Sequence, residues 1–430
     1  MRSHKRLVLL MLVFTLLAVS LSGVSAQDKT VIQWWHINTA ENAAALFQKI
    51  ADDFVAAHPD VAIEITVLEN EAFKAKLTTV MQSGSPPDLF QSWGGGVLAN
   101  FAQAGLLRDI TLEMTANDNE WRDSFSTQGA LNLYTNDGKY YGVPYSFGAV
   151  GFWYNKDLFA QAGIEATPTT WDELLAAVQK LQDAGITPIS IGQKDKWPGH
   201  FWWASLAVRA GGQPAFDAAY NRTGSFADAP FVKAGELFKQ LVDLNAFQDG
   251  FLGEGYTEEA AHMGNGEAAM ELMGQWAPAV MKDSSATKEG LPEGTLGWFP
   301  FPSVPDQLGD PSDVFGGGDG FAFGKDAPDA TIEFAKFIMT RENLAAAVEV
   351  NGILPTVVGM NDLVTDPLLV DVLAARDNAK YYQLYYDQFL PPPVAQAVLD
   401  AVQGLTAGQL SPEETAQQVE DAAAMELAPA

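Results

Sequence analysis

The chain has 430 residues, 47% of them hydrophobic, with 54 Asp and Glu against 25 Lys and Arg, a formal net charge of −29 at pH 7, and no cysteine. Such a charge argues against nucleic acid or an anionic membrane surface as partner, and the missing thiol excludes disulfides, thiolate nucleophiles and Cys zinc sites. Length leaves room for two or three domains and for a core large enough to hold without cross-links.

Arg2, Lys5 and Arg6 precede an apolar run from Leu7 to about Leu21, then the small-residue pattern Val24-Ser25-Ala26. This is the pattern of a secretory signal peptide, 1–26, cleaved after Ala26; the run is shorter than the roughly 20 apolar residues of a spanning helix. With no cysteine to carry a lipid, the expectation is an exported, periplasmic or secreted monomer without a stable membrane anchor. Val31 to Trp35 reads as a short strand. Glu41 to Ala57 places Leu46, Ile50 and Phe54 at helical spacing and stops before Pro59. Val61, Ile63, Ile65 and Val67 alternate as a strand does. A second helix carries Phe73, Leu77 and Val80 and ends near Gly84, and Pro86-Pro87-Asp88-Leu89-Phe90 leads into a third strand. The β-α-β-α-β order predicts an α/β fold with a mostly parallel sheet.

Ligands of such sheets bind beyond the carboxyl ends of the strands. Two predicted loops lie there, Trp35-His36-Ile37-Asn38 and Gln91-Ser92-Trp93-Gly94-Gly95-Gly96. A lone Trp is more often core, but Trp93 beside three glycines is hard to bury. Farther along, Tyr141 to Leu181 joins a Gly/Pro strand entry, the aromatic strand Phe152-Trp153-Tyr154, an Asn-Lys-Asp turn and a helix opened by Thr170-Trp171-Asp172-Glu173, a capping box. The densest aromatic cluster is Trp197-Pro198-Gly199-His200-Phe201-Trp202-Trp203, followed by Gly274-Gln275-Trp276-Ala277-Pro278. Trp197, before Pro198, reads as a loop residue, and at least one of Trp202 and Trp203 as core. Glu69 and Glu71, near Lys74 and Lys76, read as a solvated face.

WWHINTAEN, PPDLFQSWGGGVLANFAQAGLL, YGVPYSFGAVGFWYNKDLFAQAG, PTTWDELLAAVQKL, GNGEAAMELMGQWAP and FAFGKDAPDATIEFAKFI occur in this order. The order resembles that of the extracellular sugar-binding proteins of ABC importers, the family of the maltose-binding proteins, and is nearest to binders of small oligosaccharides of the xylobiose or raffinose kind. The resemblance implies the periplasmic-binding-protein fold, two discontinuous α/β lobes around a hinge with a ligand cleft between them. It divides the chain into 27–144 with 317–354 as lobe 1 and 145–316 with 355–430 as lobe 2, crossing at Pro144 to Phe147, Gly316 to Gly318 and Leu354-Pro355. It implies a neutral mono- or short oligosaccharide as ligand, a membrane permease as partner, no cofactor or metal, and no catalysis.

A pyranose offers apolar faces and a rim of hydroxyls, which calls for aromatic platforms and fixed polar groups. The candidate ligand-binding residues are His36, Asn38, Gln91, Trp93, Tyr145, Trp197, His200, Trp276, Asp319 and Asp387. Asp319 sits among glycines and could serve only its own turn; Asp387 lies in Tyr385-Tyr386-Asp387-Gln388-Phe389. His36 and His200 could equally be structural. Gly320 to Lys325 fails the phosphate-loop pattern at two positions, and there is no H-E-x-x-H or G-x-S-x-G. The rival reading is a secreted glycoside hydrolase with Asp319 and Asp387 as its carboxylate pair; an adhesion or scaffold module is a third.

Overall fold

The computed structural model describes residues 29–126 and 128–427, so the expected signal segment and its cleavage point lie outside the described residues. Strands Thr30–His36, Val61–Val67 and Leu89–Ser92 are parallel, with Thr30 opposite Val61 and Trp34 opposite Leu89. Helices Glu41–Ala57 and Asn70–Gln82 connect them, the first burying Leu46, Phe47, Ile50 and Phe54, the second Phe73, Leu77 and Met81. The helical period is realised as a buried stripe in Glu41–Ala57, whereas the period-2 run Val61–Val67 forms its strand but buries only Val61, with Val67 exposed.

The long strand Val314–Phe323 completes this sheet. Its far half runs antiparallel to Leu89–Ser92, its near half parallel to Tyr382–Leu384, and its other edge antiparallel to Gly142–Ala149. On that edge Asp319 lies opposite Ser146 but Gly320 opposite Pro144, so Tyr145 is one residue too many. Pro144 has no N–H to give the ladder, and the resulting bulge re-aims the side chains beside it. Tyr145 and Asp319 both reach the cavity described below.

The chain changes sheet at Val150. Gly151–Asn155 belongs to a second, four-stranded sheet in the order Leu296–Phe299, Gly151–Asn155, Ala268–Met273, Thr187–Ile189. Phe152 and Trp153 are fully buried there, as a core strand requires. The helix Trp171–Asp183 opens on the capping box read from sequence, Thr170 accepting from the Glu173 N–H while Glu173 accepts from the Thr170 N–H. Helices Trp197–Tyr220 and Ala229–Asp243 pack with the late helices Pro392–Thr406 and Pro412–Glu426, so the end of the chain rejoins this half. In the other half, Asp329–Ile338 and Arg341–Asn351 pack on Glu41–Ala57. The result is two α/β lobes, each built from discontinuous segments.

Trp197 is not in a loop. It is the first residue of the helix Trp197–Tyr220, with Pro198 behind it; proline fits the first turn because the N–H it lacks would have no partner inside the helix. Both Trp202 and Trp203 are core, almost wholly shielded from solvent. The same helix carries Arg209, whose buried guanidinium donates to the carbonyls of Phe301, Pro302 and Asp313. Burial lowers its pKa to about 10, with Asp313 and Asp310 opposing that shift, and the three bonds tie the helix to the segment leading back into the first sheet.

Candidate functional site

Between the two sheets lies a cavity of about 280 Å³. Eight of the ten candidate residues line it: Asn38, Gln91, Trp93, Tyr145, Trp197, Trp276, Asp319 and Asp387. They come from strand ends, the bulge, a helix start and a short helical turn, places that only the fold brings together. His36 and His200 do not line it. His36 is buried edge-on against Trp34, 4.9 Å between centroids, and its Nδ1 accepts from the Asn38 N–H. Desolvation lowers its pKa to about 4, which keeps it neutral. His200 is wholly buried behind Asp387, its Nε2 3.6 Å from Asp387 Oδ1.

Three indoles form the apolar walls. Trp93 is braced by Phe73, edge to face at 6.1 Å, and Trp197 packs against Tyr256 at 4.8 Å and Phe201 at 5.2 Å. Trp276 meets Phe201 and Tyr385, each at 6.4 Å. Glycine is required beside two of these rings. A Cβ at Gly274 would stand 2.3 Å from the Trp276 ring, and one at Gly317 would stand 2.2 Å from the Tyr385 ring. Gly317 thus lets Tyr385 lie across the strand Val314–Phe323, and Asp319, read from sequence as a possible turn residue, lies in that strand.

The polar groups converge on the same space. Asp319 Oδ1 accepts from Gln91 Nε2 at 2.9 Å. Burial pushes the Asp319 carboxyl up to about 6, against the opposing pull of its hydrogen bonds from Trp93 and Gln91. Tyr145 Oη, Tyr385 Oη, Trp197 Nε1, Gln275 Oε1 and Asp387 Oδ1 are buried without a hydrogen-bond partner among the described residues. Buried polar atoms are normally paired, so this wall is short of partners that a hydroxyl-rich solute supplies.

Several lining residues were missed in the sequence. Glu69, read as part of a solvated face, is exposed but caps the helix Asn70–Gln82 by accepting from the N–H groups of Glu71 and Ala72, and it borders the cavity. Lys74 sits 5.5 Å from the Trp93 centroid and 5.9 Å from that of Trp197, touching indoles on opposite sides of the cleft. Tyr256, Gln275, Asn351 and Tyr385 also line the cavity. The dense aromatic spelling around Tyr385 was the one signal that could have singled it out. No helix among the described residues is long and apolar enough to cross a membrane.

Two α/β lobes joined by crossing strands over an aromatic, carboxylate-bearing cavity define a two-lobed solute receptor. The family model described as bacterial extracellular solute-binding protein matches residues 38–345, and the chain belongs to that family. Among curated relatives it is 27% identical over 285 residues to an uncharacterised ABC transporter extracellular-binding protein of Pyrococcus horikoshii, covering 64% of this chain and 61% of that one. It is 24% identical over 410 residues to a probable sugar-binding periplasmic protein of Mesorhizobium japonicum, covering 92% and 93%. The match to the first of these spans less than two thirds of that relative. Among solved structures, a chitin oligosaccharide binding protein shares 28% identity at a TM-score of 0.82, over 93% of this chain and 99% of that one. A structure from work on xylan utilisation by Caldanaerobius polysaccharolyticus shares 28% at 0.84, over 91% and 99%. Family membership favours binding over glycoside hydrolysis.

Proposed function

We propose that the chain captures a neutral mono- or short oligosaccharide between its lobes and delivers it to the permease of an ABC importer outside the cytoplasm. The observation that carries this reading is the convergence of Trp93, Trp197 and Trp276 with Asp319 and Asp387 on one cavity. Indoles offer flat apolar faces to sugar rings, and carboxylates accept hydroxyl hydrogen bonds, the stronger charge-assisted kind. A volume near the lower edge of small-molecule pockets, about 300 Å³, suits a small saccharide.

On this reading the lobes divide near 27–144 with 317–354 and 145–316 with 355–430, and strands Gly142–Ala149 and Val314–Phe323, which share the first sheet with Tyr382–Leu384, carry the crossings between them. Gln275 Nε2 donates to Ser146 Oγ, which in turn accepts from the Leu354 N–H. One hydroxyl thereby links the first crossing, the third crossing and the Trp276 loop, where hinge closure brings the lobes onto the solute. A solute that touches both lobes at once shifts the population toward the closed form. A melting-temperature screen of monosaccharides and short xylo-, gluco- and galacto-oligosaccharides, run beside chromogenic glycosides, tests the proposal. It expects a shift with at least one saccharide and no turnover; turnover by the purified protein returns the hydrolase reading.

A further inference from the structure

His200 does not reach the cavity, yet its surroundings are chemically unbalanced. Its Nδ1 lies 2.9 Å from the Trp197 carbonyl oxygen. A carbonyl can only accept, so Nδ1 carries a hydrogen, and in a neutral imidazole Nε2 is then a bare acceptor. What Nε2 faces, at 3.6 Å, is another acceptor, Asp387 Oδ1. Both atoms are buried and neither has another partner among the described residues. The second oxygen of Asp387 accepts from Gln388 Nε2 at 3.0 Å, and the residue forms part of the cavity wall. Two facing lone pairs repel, and one proton between them turns the repulsion into a charge-assisted hydrogen bond.

We infer that His200 is the positioning residue for Asp387, taking up a proton from solvent at Nε2 when the cleft closes and so holding the carboxylate in the orientation that meets the solute. The inference rests on the proposed reading of the cavity as the solute site. Its logic is solvent substitution: in the open cleft water can pair with Asp387, whereas closure expels water and leaves His200 as the group able to supply a donor. The other charged or titratable groups that bear on the pair are Lys74, from the helix Asn70–Gln82, Tyr385, two residues before Asp387, and Asp319, across the cavity. Burial holds the His200 pKa below the ordinary histidine value, Asp387 and the Trp197 carbonyl act to raise it, and Lys74 lowers it further. In this structure burial outweighs Asp387 and keeps Nε2 bare at neutral pH; proton uptake on binding requires that the solute's removal of the remaining water around Asp387 strengthen its pull on His200 enough to draw in the proton.

Two measurements on the full chain test this. The first needs no ligand: the imidazole nitrogen signals of 15N-labelled protein are followed with pH in the wild type and in Asp387→Asn, with His200→Gln identifying the His200 signals. The amide of Asp387→Asn can donate to a neutral Nε2, so the His200 midpoint falls by about one pH unit; an unchanged midpoint overturns the inference. The second is calorimetric titration with a bound saccharide from the screen, in buffers of different ionisation enthalpy. Wild type takes up protons above the His200 midpoint. His200→Gln, whose amide donates at every pH, loses that uptake while keeping its affinity within about tenfold. Equal uptake in both proteins refutes the inference, because Asp319, the other group able to exchange a proton there, is present in both. If no saccharide binds the wild type, the proposed function fails, and the first measurement still decides the role of His200.

Discussion

Replacing Asp319 by Asn should make the protein more stable and less able to bind. Asp319 is pushed from an ordinary 3.8 up to about 6 in the folded chain. An acid whose folded pKa lies above its unfolded one keeps its proton longer in the folded state, so stability falls as pH rises from about 4 to 6, and the penalty is complete above that window. Two pKa units correspond to about 3 kcal/mol. The Asn side chain still accepts from Gln91 but turns an N–H toward the Trp93 indole, losing one hydrogen bond worth about 1 kcal/mol. The net expectation is a gain of about 2 kcal/mol at pH 8 that reverses, near pH 4, to a loss of somewhat under about 1 kcal/mol as the lost hydrogen bond outweighs the fading ionisation term. Urea denaturation of both proteins at the two pH values reads this directly, and the difference between them cancels every other titrating group. Saccharide affinity should fall in the same variant, since a neutral amide oxygen accepts hydroxyls less strongly than a carboxylate. A variant no more stable at pH 8 than at pH 4, relative to wild type, would refute the reasoning that burial governs this carboxyl.

Trp276→Ala should weaken saccharide binding by about 2 kcal/mol, roughly thirtyfold, with an unchanged circular dichroism spectrum; unchanged affinity by calorimetry removes Trp276 from the site. Gly274→Ala should reproduce much of that loss without touching the indole itself, because the new Cβ would stand 2.3 Å from the ring and displace it; wild-type affinity in this variant would show that the ring's position is immaterial. Glu271 is buried with both oxygens unpartnered among the described residues and, through burial, is pushed up to about 8. Glu271→Gln should raise the unfolding midpoint at pH 9 and leave it unchanged at pH 4, and an equal effect at both pH values would remove ionisation as the cause.

The first lobe, and the start of the second lobe's helix Trp171–Asp183, were legible because their signals are local. The apolar stripe of Glu41–Ala57 encodes its own burial, the alternation of Val61–Val67 encodes a strand although only Val61 is buried and Val67 is exposed, and the Thr170–Glu173 box encodes its own helix start. Eight of the ten candidate site residues reached the cavity, five of them indoles or carboxylates and the others the amides Asn38 and Gln91 and the bulge residue Tyr145, because polar or large aromatic side chains in glycine-rich or strand-end contexts are poor core material. His36 and His200 misled because a histidine in a cleft-proximal motif reads the same whether its ring faces the cavity or the core behind it. Trp197 misled because a proline after it suits a loop and a first helical turn equally well. Lys74 was invisible for a different reason. Its place between Trp93 and Trp197 depends on residues 19 and 123 positions away that only the tertiary fold brings to it.

The central claim is that a saccharide binds in the cavity between the lobes. Calorimetric titration of the folded chain with the saccharide panel, repeated with Asp319→Asn, tests it most directly. The account predicts one-to-one saturation by at least one saccharide and a marked loss of affinity in the variant. The absence of binding heat across the panel, or saturation that Asp319→Asn leaves untouched, would contradict it.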